Sequence, residues 1–189
     1  MILNQDNEYA ALLDACVLVP MCLCDALLRL AEDPAMYRPL WSSEILREVG
    51  DALESKIRLT PQQRQRRITK MNEAFPEASI QPAACLAESL HGIPDENDRH
   101  VLAAAISGHA HVIVTSNTKD FPSAYLAQFD ILCRSPDEFL IHQFHLNRTL
   151  VLDKLDGQAV NIQRQLKDVL STLKLVAPKF AALAESCLS

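Results

Sequence analysis

Four boundaries in this sequence carry side chains able to do chemistry together. Asp14 closes the apolar run from Tyr9, and Glu44 follows the serine pair Ser42 and Ser43. Asp98 ends the stretch Pro94-Asp95-Glu96-Asn97-Asp98, while Asn117 and Asp120 follow the β-branched run His111 to Thr115. Singly, each acid is an ordinary helix cap or dipole partner. In one cleft, three or four carboxylates repel, and without a cation some protonate or splay apart. A divalent ion resolves the conflict. Hard oxygen ligands with retained waters suit Mg2+ or Mn2+, which polarises a phosphoryl oxygen and lowers the pKa of an attacking water. Phosphodiester hydrolysis is the chemistry that follows. A serine nucleophile is disfavoured by the lack of a G-x-S-x-G elbow, and a phosphate-cradling loop by a chain with only four glycines. LLDAC also lacks the D-x-D pair of an aspartyl-phosphate phosphatase.

The elements that must bring these acids together are legible in outline. YAALLD suits a buried first strand of a parallel sheet, with Asp14 at its C-terminal end. Leu23, Ala26, Leu27 and Leu30 repeat at helical spacing until Asp33-Pro34. Ser42 and Ser43 offer caps for a helix with Ile45, Leu46, Val49 and Leu53 on its inner face, placing Glu44 in the first turn. Thr60-Pro61 starts another helix, running through Gln62 to Phe75. A short strand is expected near Ala78 to Gln81, and the acids around Asp98 open a helix that continues through Val101 to Ile106 and ends at Gly108.

His111 to Thr115 and Phe129 to Cys133 read as strands, and Ser135-Pro-Asp-Glu138 as a capping box opening the helix Asp137 to Phe144. Strands alternating with helices predict an α/β fold with a parallel sheet. In such folds a strand's C-terminal end and the next helix's N-terminus share the edge where ligands bind, which is why the acids should converge. Beyond about Asn147 no strand signal remains: Leu155, Ile162, Leu166, Val169, Leu170 and Leu173 mark one long amphipathic helix, and Pro178 opens a shorter one. The predicted organisation is a domain over residues 1–146 and a helical extension over 147–189.

The totals bound the function. At 189 residues, with 49% hydrophobic and 22% charged, the chain is long enough for one sizeable core and is not compositionally disordered. No apolar run reaches the roughly 18 to 20 residues of a spanning helix, and the N-terminus lacks a signal-peptide layout, so a cytoplasmic protein with no membrane contact is expected. The six cysteines lack the spacing of a disulfide framework, and Cys22-Leu-Cys24 has no second metal-binding pair, so reduced packing thiols are expected. A net charge of -6 excludes a general polyanion binder, so any nucleic-acid contact must be local.

Taken in order, LLDACVLVP, SSEILREV and PDENDRHVLAAAISGHAHVIVTSNTKDFP resemble the PIN domain of VapC-type toxins over roughly residues 8–145. The resemblance implies a PIN-like α/β fold, a central parallel sheet flanked by helices, and a Mg2+- or Mn2+-dependent ribonuclease acting on RNA. Position by position it assigns Asp14, Glu44, Asp98 and Asp120 as catalytic metal ligands, assisted by Asn117. It further implies a cognate antitoxin protein that holds the enzyme inactive, and a homodimer formed beside the cleft. Many relatives carry another Asp immediately before the third acid, where this chain has Asn97. Asp95 is then either a supporting ligand or an N-cap.

Arg64, Arg66, Arg67 and Lys70 form the one dense basic cluster, and with Arg99 they are candidates for positioning RNA phosphates or for an ordinary solvated face. His100 is a candidate general base, though a structural hydrogen bond is the plainer expectation. His109 and His111 read as surface or packing residues. Leu23, Leu27 and Leu30, with Met21 and Met36, offer apolar surface for a dimer or for packing under the C-terminal helices. Two other functions remain open: a housekeeping RNA-processing nuclease, and a non-catalytic PIN-like module binding RNA or protein.

Overall fold

The computed structural model describes residues 9–188. In chain order the elements are β1 (Ala10–Leu13), α1 (Ala15–Leu18), α2 (Met21–Ala31), β2 (Arg38–Ser42), α3 (Ser43–Ser55), α4 (Pro61–Ala74), β3 (Ser79–Ile80) and α5 (Ala84–Ser89). They continue as α6 (Arg99–Ser107), β4 (Val112–Val114), α7 (Ser123–Leu126), β5 (Leu132–Arg134), α8 (Pro136–Leu146), α9 (Arg148–Asn161), α10 (Leu166–Leu173) and α11 (Pro178–Glu185). The strands pair in the order β3-β2-β1-β4-β5, all parallel, with helices around the sheet. This is the expected PIN-like α/β architecture. The signal-peptide reading concerned the N-terminus, and residues 1–8 lie outside the described residues. Among the described residues no helix is long and apolar enough to cross a membrane.

The order has a functional consequence. From β1 the chain moves outward through β2 and β3, then returns to lay β4 on the other side of β1. The switch point therefore lies between the C-terminal ends of β1 and β4, where open α/β sheets leave a crevice for ligands. Ala10 to Leu13 and Val112 to Val114 are all buried, so these two strands form the floor of that crevice. The backbone N–H of Asp14 bonds to the Val114 carbonyl at 3.1 Å, continuing the ladder one residue past β1.

The helices start where the caps indicate. Ser42 accepts from the Ile45 N–H at 3.2 Å and starts α3, and Thr60 and Gln63 form a capping box at α4. Ser135 and Glu138 do the same at α8. Two elements differ from expectation. Sequence patterning marks no strand at β2, which contains Pro39. Arg38 donates toward β1 (to Tyr9 O, 2.9 Å) and Trp41 toward β3 (to Ala78 O, 2.9 Å). By that alternation the N–H missing at Pro39 faces the β3 side, before β3 begins opposite Trp41, so no ladder bond is lost.

The single long C-terminal helix expected from the leucine spacing is two helices, α9 and α10, separated by a turn in which Gln163 has a φ of 55°. Folding back lets Val151, Leu155 and Ala159 share a core with Val169, Leu170 and Leu173, whereas one continuous rod would carry half of them into solvent. The paired helices also settle the use of the early apolar face. Leu23, Leu27 and Leu30 on α2 are 1%, 0% and 0% exposed within the single chain, so they are not free for a dimer surface. Gln158 of α9 donates to the Cys22 carbonyl at 3.0 Å, which ties this extension to the start of α2.

Candidate metal and nuclease site

Asp14 is the most firmly held of the candidate acids. It is the N-cap of α1, its Oδ1 accepting from the Ala15 N–H at 2.6 Å. Its Oδ2 accepts from the Thr115 hydroxyl at 2.7 Å and from the Cys16 thiol at 3.1 Å. Thr115 is fully buried, and its oxygen also takes the Asn117 N–H at 3.0 Å. Cys16 Sγ accepts from the Ser116 N–H at 3.1 Å. Burial, reinforced by the Asp14 charge, pushes the Cys16 thiol up to about 11, so it stays protonated and able to donate. The segment leaving β4 is thus sewn to the residue leaving β1.

Asp98 ends a 3-10 turn (Glu96–Asp98) and precedes α6 without capping it through its side chain. Burial, and then the charges of Asp14, Asp95, Asp120 and Glu48, push its carboxyl from an ordinary 3.8 to about 6. The loop leading to it is seated against α7: a Cβ on Gly92 would overlap the Tyr125 ring. Asp120 lies in a second 3-10 turn (Thr118–Asp120), where the Asn117 side-chain amide donates to its Oδ2. Asp95 acts as a cap, its Oδ1 accepting from the backbone and side-chain N–H groups of Asn97, each at 2.9 Å.

Glu44 is exposed in the first turn of α3, 3.5 Å from Arg47 Nη2 and 3.9 Å from His100 Nδ1. His100 is buried on α6, with Nε2 3.0 Å from Glu48 Oε1. Burial pulls this ring's pKa down, but the Glu48 hydrogen bond and the Glu48, Glu44 and Asp14 charges overcome it, so it titrates above its ordinary value. Among the described residues no Lys, Arg or His nitrogen lies within 4.0 Å of Asp14, Asp98 or Asp120. Their mutual repulsion therefore stands uncompensated by a direct ion pair. As the side chains stand, no three acidic, histidine or cysteine groups among the described residues are disposed around one cation.

The basic cluster divides. Arg67 donates to the Leu18 and Val19 carbonyls at 2.5 and 3.2 Å, closing the C-terminal end of α1. Arg64 pairs with Glu54 at 2.7 Å and with the Gly50 carbonyl, and Arg99 pairs with Glu96 at 3.1 Å. Arg66 and Lys70 stand exposed along α4 beside Gln62, Gln65 and Thr69. Thr115, Cys16 and Glu48 were not among the sequence candidates, although all three touch the acids or their neighbours. Glu48 had a sequence signal, being four residues after Glu44 and so on the same helix face. Thr115 had a weaker one, as the residue that ends a strand two positions before Asn117.

A five-stranded parallel sheet with acids gathered beside its switch point defines a class of α/β proteins that handle charged ligands at that edge. Residues 10–119 match the PIN domain family, and the chain belongs to it. A Mycobacterium tuberculosis (strain ATCC 25618 / H37Rv) protein named "Putative ribonuclease VapC50" is 37% identical over 91 residues, 46% of this chain and 53% of that relative. The chain thus matches about half the length of this curated relative.

Proposed function

We propose that this protein is a divalent-metal-dependent endoribonuclease and the toxin of a toxin–antitoxin pair, with residues 1–146 carrying the nuclease and 147–189 covering α2. The observation that carries the reading is the crowding of Asp98, whose carboxyl is pushed to about 6 by burial and by Asp14, Asp95, Asp120 and Glu48. Mutual repulsion of that kind, in a member of the PIN family, is what a bound dication would relieve. The donor set fits such an ion: hard carboxylate oxygens without a direct basic partner. Mg2+ keeps several waters and needs only one or two protein carboxylates, so the lack of a preformed trio does not oppose the fit. Asp14, Asp98 and Asp120 would hold the ion with help from Glu44, and Asn117 would orient Asp120.

When bound, the cation supplies charge neutralisation at the phosphodiester and a water of lowered pKa. The protein's own share is positional. Thr115 and Cys16 hold Asp14 in one rotamer, and Asn117 holds Asp120. Arg66 and Lys70 are the members of the basic cluster free to meet RNA phosphates. An antitoxin would silence the enzyme by covering the acidic edge, and the proposed setting is the cytoplasm. Self-association, if it occurs, must use surface other than the buried face of α2.

The test is cleavage of total cellular RNA by the metal-stripped protein after Mg2+ or Mn2+ is restored, with Asp14→Asn and Asp98→Asn compared at matched folded fraction. Cleavage should require the metal and vanish in both variants. Full cleavage by either variant, or in the presence of a chelator, defeats the proposal.

A further inference from the structure

Glu44 and Glu48 stand one turn apart on the same face of α3, where like charges repel. Between them lies the His100 ring, delivered by the first turn of α6 and only 8% exposed. The ring is anchored at one end, with Nε2 3.0 Å from Glu48 Oε1. Its other nitrogen, Nδ1, is buried without a hydrogen-bond partner, and Glu44 Oε2 is 3.9 Å away. An orphaned buried ring nitrogen is rare enough to call for an explanation. Glu44 has a second suitor, the exposed Arg47, with Nη2 at 3.5 Å. Its carboxylate therefore stands between an outward ion pair and an inward ring nitrogen, bonded to neither.

We infer that His100 is a positioning residue: held by Glu48, its ring draws Glu44 away from Arg47 and toward the other acids, completing the set that takes the cation. This rests on the metal-dependent reading above. A partner that fixes one nitrogen of a histidine sets what the other can offer, and groups behind metal ligands are commonly worth about 10- to 100-fold in affinity. Charge alone points the other way. Removing a ring that is neutral or positive cannot make the cleft less attractive to a cation, so electrostatics without positioning calls for unchanged or tighter binding.

The test is Mn2+ binding by the full chain without RNA, followed by the loss of free-Mn2+ EPR signal, for wild type, H100Q, E44Q and the E44Q/H100Q pair. H100Q should raise the Mn2+ Kd about tenfold. In the E44Q background the same change should move Kd by less than about twofold, because the residue it positions is gone. A Kd in H100Q equal to or below wild type overturns the inference. So does an equal loss with and without Glu44, which would make His100 only a fold-holding residue. Should H100Q not fold, E48Q on the half-exposed surface of α3 removes the anchor instead. Its Kd must rise, and the rise must disappear in the E44Q background, whereas a simple loss of charge would persist there. Absence of any saturable Mn2+ site in the wild type would overturn the metal reading and this inference together. Wild-type binding with unaltered H100Q binding overturns the inference alone.

Discussion

Lowering the pH should weaken cation binding by an amount that the crowding of Asp98 sets. Its carboxyl titrates at about 6 instead of the ordinary 3.8, because of burial and then four neighbouring acids. A proton and a dication compete for that oxygen. With a midpoint near 6, the group is about nine-tenths ionised at about pH 7 and about one-tenth at about pH 5, so apparent Mn2+ affinity should fall about tenfold between them. A carboxyl titrating at 3.8 would cost less than about a tenth of the affinity over that interval. The metal-free protein should respond with the opposite sign. A folded-state pKa above the unfolded value means the native state binds the proton more tightly, so Asp98 adds stability as pH falls through about 6 toward 3.8 and withdraws it as pH rises. Thermal melts with and without Mn2+ at the two pH values read both effects at once. Asp98→Asn should flatten both slopes. A wild-type affinity that is the same at both pH values, or an Asp98→Asn variant that keeps the full tenfold dependence, would refute the reasoning.

Thr115→Val keeps the shape of a fully buried side chain but removes the hydroxyl that donates to Asp14 and accepts from Asn117. Urea unfolding should show a loss of about 1 to 3 kcal/mol, with a fall in RNA cleavage beyond what the folded fraction explains. Arg67→Met, which strips two backbone carbonyls of their donor, should cost about 1.5 to 3 kcal/mol in the same assay. Arg66→Ala should leave stability within about 0.5 kcal/mol yet reduce the salt dependence of RNA binding by about one counterion. Leu27→Ala, at a fully buried position under the C-terminal helices, should cost about 2 to 5 kcal/mol. A loss below about 1 kcal/mol there, within the scatter of a surface change, would mean those helices do not pack on α2 in solution.

Local rules set much of this protein directly from its residues. The apolar run before Asp14 is short and continuous, as a strand buried on both faces must be, and the caps Ser42, Thr60 and Ser135 start their helices because each satisfies an otherwise unpaired N–H. Asp14, Glu44, Asp98 and Asp120 were legible as candidates because each sits at the end of such an element. What those rules could not reach depends on neighbours distant in the chain. Pro39 hid β2, since its tolerance rests on where β3 happens to begin. The break between α9 and α10 follows from the shared core both helices must reach, not from a glycine or proline at the turn.

The same limit governs the site. Arg64, Arg66, Arg67 and Lys70 look alike as a basic run, yet Leu18, Val19 and Glu54 claim two of them and leave two exposed. The contacts of Thr115 and Cys16 with Asp14, and of His100 with Glu48, join residues far apart in the chain. They exist only because β4 returns to pair beside β1 and α6 packs against α3. Hydrophobic period and capping act within a few residues and can be read from the sequence. Strand order, and the charge each acid feels from the others, are set by the packing of the whole chain, and only the tertiary structure decided them.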